Sequence, residues 1–372
     1  MTWAKHEVRT LARMTAPDQS VTASAEISVA EFIRRMPKVE LHCHLEGSVP
    51  AATFIELAQR HGIDLPTDDP DHVYDFASFL EFLDLYYLVC RAVRDEDDFR
   101  RAVYDSLELA VTNSNLRYRE MFFSPTNHEL PYPDMVRGIT AGIRAAEADL
   151  GVRCRMIADV NRRQPVDIAV GMVEQVIAHP SPYVIGIGMD DDEDSGPAAR
   201  FVEAFDLAGA AGLKRTAHAG ELGNPRNILD SLDLLGCDRI DHGYAMVGEP
   251  EVMHRVRESG VHITGAWYVN LFQSGILFDG RDPAGSPLAA MVLAELPVSI
   301  STDDPTMIPT DLNTEYLGIA QAIGLGCDQI AALVFNAVDG AWLEAEEREA
   351  LRAEVRSEMD ALRAGGGTPA EN

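Results

Sequence analysis

The sequence predicts an α/β fold: a closed (β/α)8 TIM barrel with extra helices inserted after the first strand. Three observations lead there. Eight short extended runs are readable along the 372 residues, most of them separated by helical segments. Alternation of this kind produces a parallel sheet with right-handed crossovers. Forty-six per cent of the residues are apolar, enough for one large core, and a barrel holds a chain of this length in one domain. Finally, His, Glu and Asp gather at the ends of four of the runs, and the carboxyl-end rim is where such barrels carry their working residues.

The first run, Val39 to Leu45, contains His42 and His44 two residues apart. With a side-chain period of two, both project from one face of a strand. Pro50 opens a helix in which Phe54, Leu57 and Ala58 share a face. Residues 76–93 carry Phe79, Phe82, Leu83 and Tyr86 at helical spacing, and a further helix covers 95–113. These helices precede the second strand, so they form an insertion able to cover the site, although an apolar face of this kind serves packing first. Leu116 to Phe123 is the second strand, stopped by Ser124-Pro125. Helix 133–150 leads to strand 152–160, helix 166–178 to strand 183–189, and helix 197–212 to strand 214–218. A short helix at 227–235 precedes strand 239–242; helix 250–259 precedes strand 261–264; and 298–302 is the last strand. From Asp311 the chain is helical, its final helix opening near Trp342 with Leu351, Val355, Met359 and Leu362 on one stripe. One domain is expected over 28–364. Residues 1–27 read as a poorly ordered extension, a packed arm being the alternative, and Gly365-Gly366-Gly367 opens a disordered tail at 365–372.

Composition excludes several function classes. Sixty Asp and Glu stand against 31 Lys and Arg, a net charge of −29. Such a surface repels phosphate backbones and anionic membranes, so neither nucleic acid nor membrane is an expected partner. No apolar run approaches the ~20 residues that span a bilayer, and the first residues are interrupted by Lys5, His6, Glu7 and Arg9, unlike a signal core. Cys43, Cys90, Cys154, Cys237 and Cys327 are odd in number and widely spaced. They fit a reducing cytoplasm better than a disulfide framework or a Cys-x-x-Cys metal site. No Gly-rich phosphate-binding loop stands at a strand end.

The strand ends converge on a chemistry. The first ends at His42 and His44, the fifth at Thr216-Ala217-His218-Ala219-Gly220-Glu221, the sixth at Asp241-His242-Gly243 and the eighth at Ser301-Thr302-Asp303-Asp304-Pro305. Taken singly, His218 is as easily a loop histidine, Asp303 a helix cap and His242 a core residue. Taken together on one rim, His42, His44, His218 and Asp303 supply three imidazoles and a carboxylate. That set suits one Zn2+ with a position left for water. Glu221 is then the general acid or base, His242 orients the attacking oxygen, and Asp304 hydrogen-bonds substrate or water.

These residues resemble the adenosine deaminase family, and the likeness runs from about Val39 to about Val338. It is carried by Glu40-Leu41-His42-Cys43-His44-Leu45-Glu46-Gly47-Ser48, His218-Ala219-Gly220-Glu221, Asp241-His242-Gly243 and Ser301-Thr302-Asp303-Asp304-Pro305. The resemblance implies a (β/α)8 barrel with one catalytic zinc and hydrolytic deamination at C6 of an aminopurine. It implies that His42, His44, His218 and Asp303 ligate zinc, Glu221 protonates purine N1, His242 steers hydroxide and Asp304 meets N7. Glu46 falls where the family places an acidic residue near the sugar, or the space a sugar would occupy. The zinc deaminases of flipped bases use paired cysteines, absent here.

Two segments depart from the family pattern. The fourth strand of the family ends with a glycine, two residues before a Glu, whose N–H binds the purine; here Gly188-Met189-Asp190-Asp191-Asp192-Glu193 puts Asp191 at that place. Its N–H survives, while Asp190, Asp191 and Asp192 disfavour a phosphorylated substrate and suit a hydroxyl-rich or cationic substituent. A solvated acidic loop is the plain alternative. After the seventh strand, Gly265-Ala266-Trp267-Tyr268-Val269-Asn270 replaces the family's Cys-Pro-x-Ser-Asn, with only Asn270 in common. Trp267 and Tyr268 either reshape the pocket or pack in the core. The leading expectation is therefore zinc-dependent deamination of adenosine or a related 6-aminopurine nucleoside, with a small-molecule substrate as the partner. Free adenine comes second, then another metal-dependent hydrolase on the same barrel; a binding protein that keeps the metal as structure is the non-enzyme alternative.

Overall fold

The computed structural model describes residues 27–276 and 280–364; the expectations for residues 1–26 and for the 365–372 tail lie outside the described residues. Nine extended segments form two parallel sheets. The first sheet runs β1 (Lys38–Glu40), β2 (Leu116–Phe123), β3 (Arg153–Asn161), β4 (Val184–Asp190) and β5 (Lys214–Arg215). The second runs β6 (His218–Ala219), β7 (Arg239–His242), β8 (His262–Ala266) and β9 (Val298–Ser301). The Thr216 N–H donates to Ile187 O (3.0 Å) and Ala217 O accepts from the Asp241 N–H (3.0 Å), so 214–219 works as one strand joining both sheets. At the other seam, the His44 N–H donates to Asp303 O (2.9 Å) and the Asp303 N–H to His42 O (3.4 Å). The architecture is the predicted TIM barrel with helices inserted after β1.

The helices follow from capping and pattern. Ser28 Oγ accepts the Glu31 N–H and starts α1 (Val29–Arg35). The insertion is α2 (Ala51–Arg60), α3 (Phe79–Ala92) and α4 (Glu96–Ser114), the last opened by an Asp95–Asp98 capping box. Next come α5 (Tyr132–Leu150), α6 (Val166–Ala178), α7 (Val202–Ala210), α8 (Pro225–Asp233) and α9 (Pro250–Ser259). They are followed by α10 (Trp267–Gln273), α11 (Pro287–Leu293), α12 (Leu312–Ile323), α13 (Cys327–Gly340) and α14 (Ala345–Ala364). Leu351, Val355 and Met359 of α14 are buried as their stripe predicts. Ile27, placed by the sequence in a loose extension, packs against the core. No helix among the described residues is long and apolar enough to cross a membrane.

The first strand is shorter than its sequence suggests. It leaves the ladder after Glu40, and the next residues bond to both neighbours in turn: Cys43 O accepts the Phe122 N–H (2.8 Å) and the His44 N–H goes to Asp303. His42 and His44 thus follow the end of the regular strand, at the joint between its two neighbours.

Candidate metal centre and cleft

His42, His44, His218 and Asp303 meet at the carboxyl-end rim. One ligand atom from each lies within 4.8 Å of all the others, although the four come from the first, fifth and last barrel strands. His42 Nε2 is 3.1 Å and His44 Nε2 3.4 Å from the same Asp303 oxygen, and His44 Nε2 is 3.2 Å from His218 Nε2. All four residues are buried. His42 Nδ1 sits 3.1 Å from the Thr264 hydroxyl and 3.2 Å from Asp241 Oδ1, and the Asp241 carboxylate accepts from Thr216 (2.6 Å) and Thr264 (2.7 Å). A histidine held in this way turns its Nε2 lone pair to an ion.

The electrostatics fit a cation. Burial drives the His44 imidazole down to about 4 and the His218 imidazole well below its usual range, leaving neutral rings suited to ligation. His42 goes the other way: against the penalty of burial, the charges of Asp303 and Asp241 push it up to about 10. Against the same penalty, His42 holds both carboxyls well below the carboxylate range. These residues therefore fit a divalent ion, by donor type, proximity and charge alike.

Glu221 stands beside this group. Its Oε2 lies 3.9 Å from His242 Nε2, and its Oε1 accepts from the Gln273 amide of α10 (3.0 Å). Burial first, then the charge of Asp303, raises its carboxyl to about 8. His242 Nε2 faces Asp303 Oδ2 at 3.8 Å, and Nδ1 is 3.3 Å from the Tyr244 hydroxyl. Asp304 is buried, and burial and Asp303 hold its carboxyl far above the usual range, a state that donates a hydrogen bond. Gly47 makes room for it: a Cβ there would come within 1.8 Å of Asp304 Oδ1.

Sequence reasoning missed what holds Glu221. The buried Glu193 carboxylate accepts the N–H groups of Gly220 (2.8 Å), Glu221 (2.7 Å) and Leu222 (3.2 Å) and the Asn227 side-chain amide (2.5 Å). Arg162 separately donates to His218 O (2.7 Å). In the sequence Glu193 is one acid in a run of five, Asp190 to Asp194; the family pattern marks it only as the Glu two residues after the purine-binding position, and nothing local shows that it holds Glu221.

The cleft is lined by the residues around the ion site together with Phe82, Leu83, Tyr86 and Tyr87 of α3, and Asn127, Asp190 and Asp191. The apolar face of α3 thus covers the site as well as packing. Of the acidic run, Asp190 and Asp191 face the cleft, while Asp192 turns to its own loop and accepts from the Asp194 N–H (3.2 Å). Asp191 accepts from the Tyr87 hydroxyl (2.7 Å) and sits at φ 73°, the left-handed region that suits glycine. His242 (φ 69°) and Asp303 (φ 66°) share that region, so backbone strain collects at the site. Glu46 is not a lining residue. It is 1 % exposed, Oε2 accepts from the Tyr86 hydroxyl (3.1 Å), and Oε1 accepts the Ser124 N–H (3.0 Å) and lies 2.9 Å from His128 Nε2. Trp267 and Tyr268 are buried away from the cleft, their N–H groups turned to Glu315, and Asn270 accepts the Leu288 N–H (3.0 Å).

Known proteins resemble this chain in sequence and fold. The family model described as Adenosine deaminase matches residues 37–358. An adenine deaminase of Rhodospirillum rubrum is 31% identical over 330 residues, covering 87% of this chain and 97% of its own. Among solved structures, an amidohydrolase from Burkholderia ambifaria with bound zinc superposes with a TM-score of 0.83 at 32% identity, covering 95% of this chain and 98% of that one. An adenine deaminase from Arthrobacter aurescens gives 0.79 at 28% identity, covering 88% and 100%.

Proposed function

The chain belongs to the adenosine deaminase family, a family of hydrolytic deaminases, and from that premise we propose that it is a zinc-dependent deaminase of free adenine. Water would add at C6, the 6-amino group would leave as ammonia, and a 6-oxopurine would remain. The observation that carries the choice of base over nucleoside is the Glu46 carboxylate. In the family pattern that residue lies near the sugar, or the space a sugar would occupy; here both its oxygens are engaged by Tyr86, Ser124 and His128, and it does not line the cleft. The named relatives act on adenine, which supports the same choice over the adenosine expected from the sequence. Among the described residues no Lys or Arg lines the cleft whereas Asp190 and Asp191 do, which weighs against a nucleotide.

His42, His44, His218 and Asp303 would hold one Zn2+ per chain. When bound, such an ion brings the pKa of water toward neutrality and so makes a nucleophile available at neutral pH. The rest is done by the chain. Gln273 occupies Oε1 of Glu221 and leaves Oε2 to deliver a proton to purine N1, which makes C6 electrophilic. The raised affinity of this carboxyl for its proton keeps the donor loaded near neutral pH. Asp304 donates to N7, and His242 orients the attacking oxygen from the Asp303 side. Five free cysteines, four of them buried, agree with a cytoplasmic setting.

The test is an ammonia-release screen across adenine, adenosine, deoxyadenosine, AMP and N6-substituted purines, with zinc measured on the same preparation. Adenine should exceed adenosine in kcat/KM by about 10²-fold or more, the scale on which a misfitting substituent is rejected. Equal or better turnover of adenosine or AMP would overturn the free-base assignment.

A further inference from the structure

His42 and His44 are held differently. His42 Nδ1 has the Thr264 hydroxyl (3.1 Å) and Asp241 (3.2 Å) beside it, the carboxylate itself fixed by Thr216 and Thr264. His44 Nδ1 has no hydrogen-bond partner although it is buried. Facing it at 3.7 Å is Oδ2 of Asp159, on β3, a side chain 0 % exposed with both carboxyl oxygens unpartnered. Two buried polar groups that face each other without a partner are costly to leave open.

The neighbouring strand is shaped to admit this carboxylate. In the β3–β4 register Asp159 lies opposite Gly188, and a Cβ on Gly188 would come within 2.0 Å of Asp159 Oδ1. Gly188 is not in a left-handed conformation, so the space, not the backbone angle, is what requires glycine there.

We infer that Asp159 is the positioning residue of His44: its carboxylate takes the Nδ1–H of that ring and so aims Nε2 at the ion, with Gly188 providing the room. This rests on the reading above that His44 Nε2 is a metal ligand. Once Nε2 gives its lone pair to an ion, the neutral ring must carry its hydrogen on Nδ1, and a small rotation of ring or carboxylate closes the 3.7 Å gap to a hydrogen bond. Asp159 then does for the second histidine what Asp241 does for the first. Asp190, which also approaches His44 and Asp159, already accepts from Ser124 (3.3 Å) and is the less free of the two acids.

Zinc affinity of the purified full chain, by competition with a chromophoric chelator, tests this apart from turnover. Wild type is measured first; failure to bind one zinc per chain sinks the metal reading itself, before Asp159 is touched. With that established, Asp159→Leu should weaken zinc about 10–100-fold, the usual effect of losing a ligand's supporting partner. Asp159→Asn, which keeps an acceptor oxygen, should stay within a few-fold of wild type. Gly188→Ala, which pushes the carboxylate aside without removing it, should weaken zinc in the same direction and covers the case in which the leucine variant does not fold. Wild-type affinity in Asp159→Leu or Gly188→Ala, or equal loss in the Asn and Leu variants, overturns the proposal. So does a stoichiometry of two ions per chain, which would make His44, Asp159 and Asp190 a metal site of their own.

Discussion

Replacing Glu193 by Gln isolates the device that steadies Glu221. The carboxylate accepts three successive main-chain N–H groups and the Asn227 amide. Hydrogen bonds to a charged acceptor contribute about 1.5–3 kcal/mol each when the donor is shielded from water. The Gly220 donor qualifies in full; Glu221 and Asn227 are partly buried and Leu222 is 41 % exposed, so their shares are discounted. Gln retains one acceptor oxygen and turns an NH2 toward the remaining donors. About 2–4 kcal/mol of local stability should therefore go. If about 3 kcal/mol of that appears as misplacement of the acid, kcat for adenine falls about 10²-fold, at 1.36 kcal/mol per decade. Zinc content should not change, because Arg162 still donates to the His218 carbonyl. Denaturant melts, steady-state ammonia release and metal analysis on one preparation read all three quantities. A variant with wild-type kcat and midpoint would refute the reasoning, and so would one that loses zinc in proportion to activity.

Three further outcomes are expected. Glu221→Gln should keep zinc and lose nearly all turnover; retention of the wild-type rate would remove it as the proton donor. Asp303→Ala should lower the metal content of purified protein, and unchanged stoichiometric zinc would count against it as a ligand. Lys38 is buried behind α1, donates to Ile33 O (2.5 Å) and Met36 O (3.1 Å), and is brought down to about 7 by burial, only partly offset by Asp311. Because its folded pKa lies below the unfolded one, the unfolded chain binds the extra proton between the two. Stability therefore rises with pH across that window and is lost as pH falls toward 7. Wild type should gain up to about 4 kcal/mol over Lys38→Met between pH 7 and 10; parallel pH profiles from urea unfolding would contradict this.

The parts of the fold visible in the sequence were those with local causes. Strand Leu116–Phe123 and helix Val166–Ala178 begin and end where their patterns do, because Ser124-Pro125 and Pro165 punctuate them. The ion group was legible because its members sit at strand ends in recognisable short stretches. What was not legible depends on neighbours distant in the chain. The fifth strand divides at Thr216-Ala217, where its bonding passes from Ile187 of one sheet to Asp241 of the other. Helix α10 starts directly after Ala266 because Glu315, far along the chain, accepts the Trp267 and Tyr268 N–H groups. The engagement of Glu46 by Tyr86 and His128, and the approach of Asp159 to His44, are likewise set only when β2, β3 and α3 pack together. No spacing rule announces them.

The seam between the last and first strands has a mechanical consequence. His44 and Asp303 stitch that joint with their main chains, and the same two residues bring their side chains to the ion group. A cation seated there acts as a rivet through the point where the cylinder is fastened. Stripping it should slacken the ring along one edge before any other, and amide exchange at His44 and Asp303 would quicken ahead of the far wall.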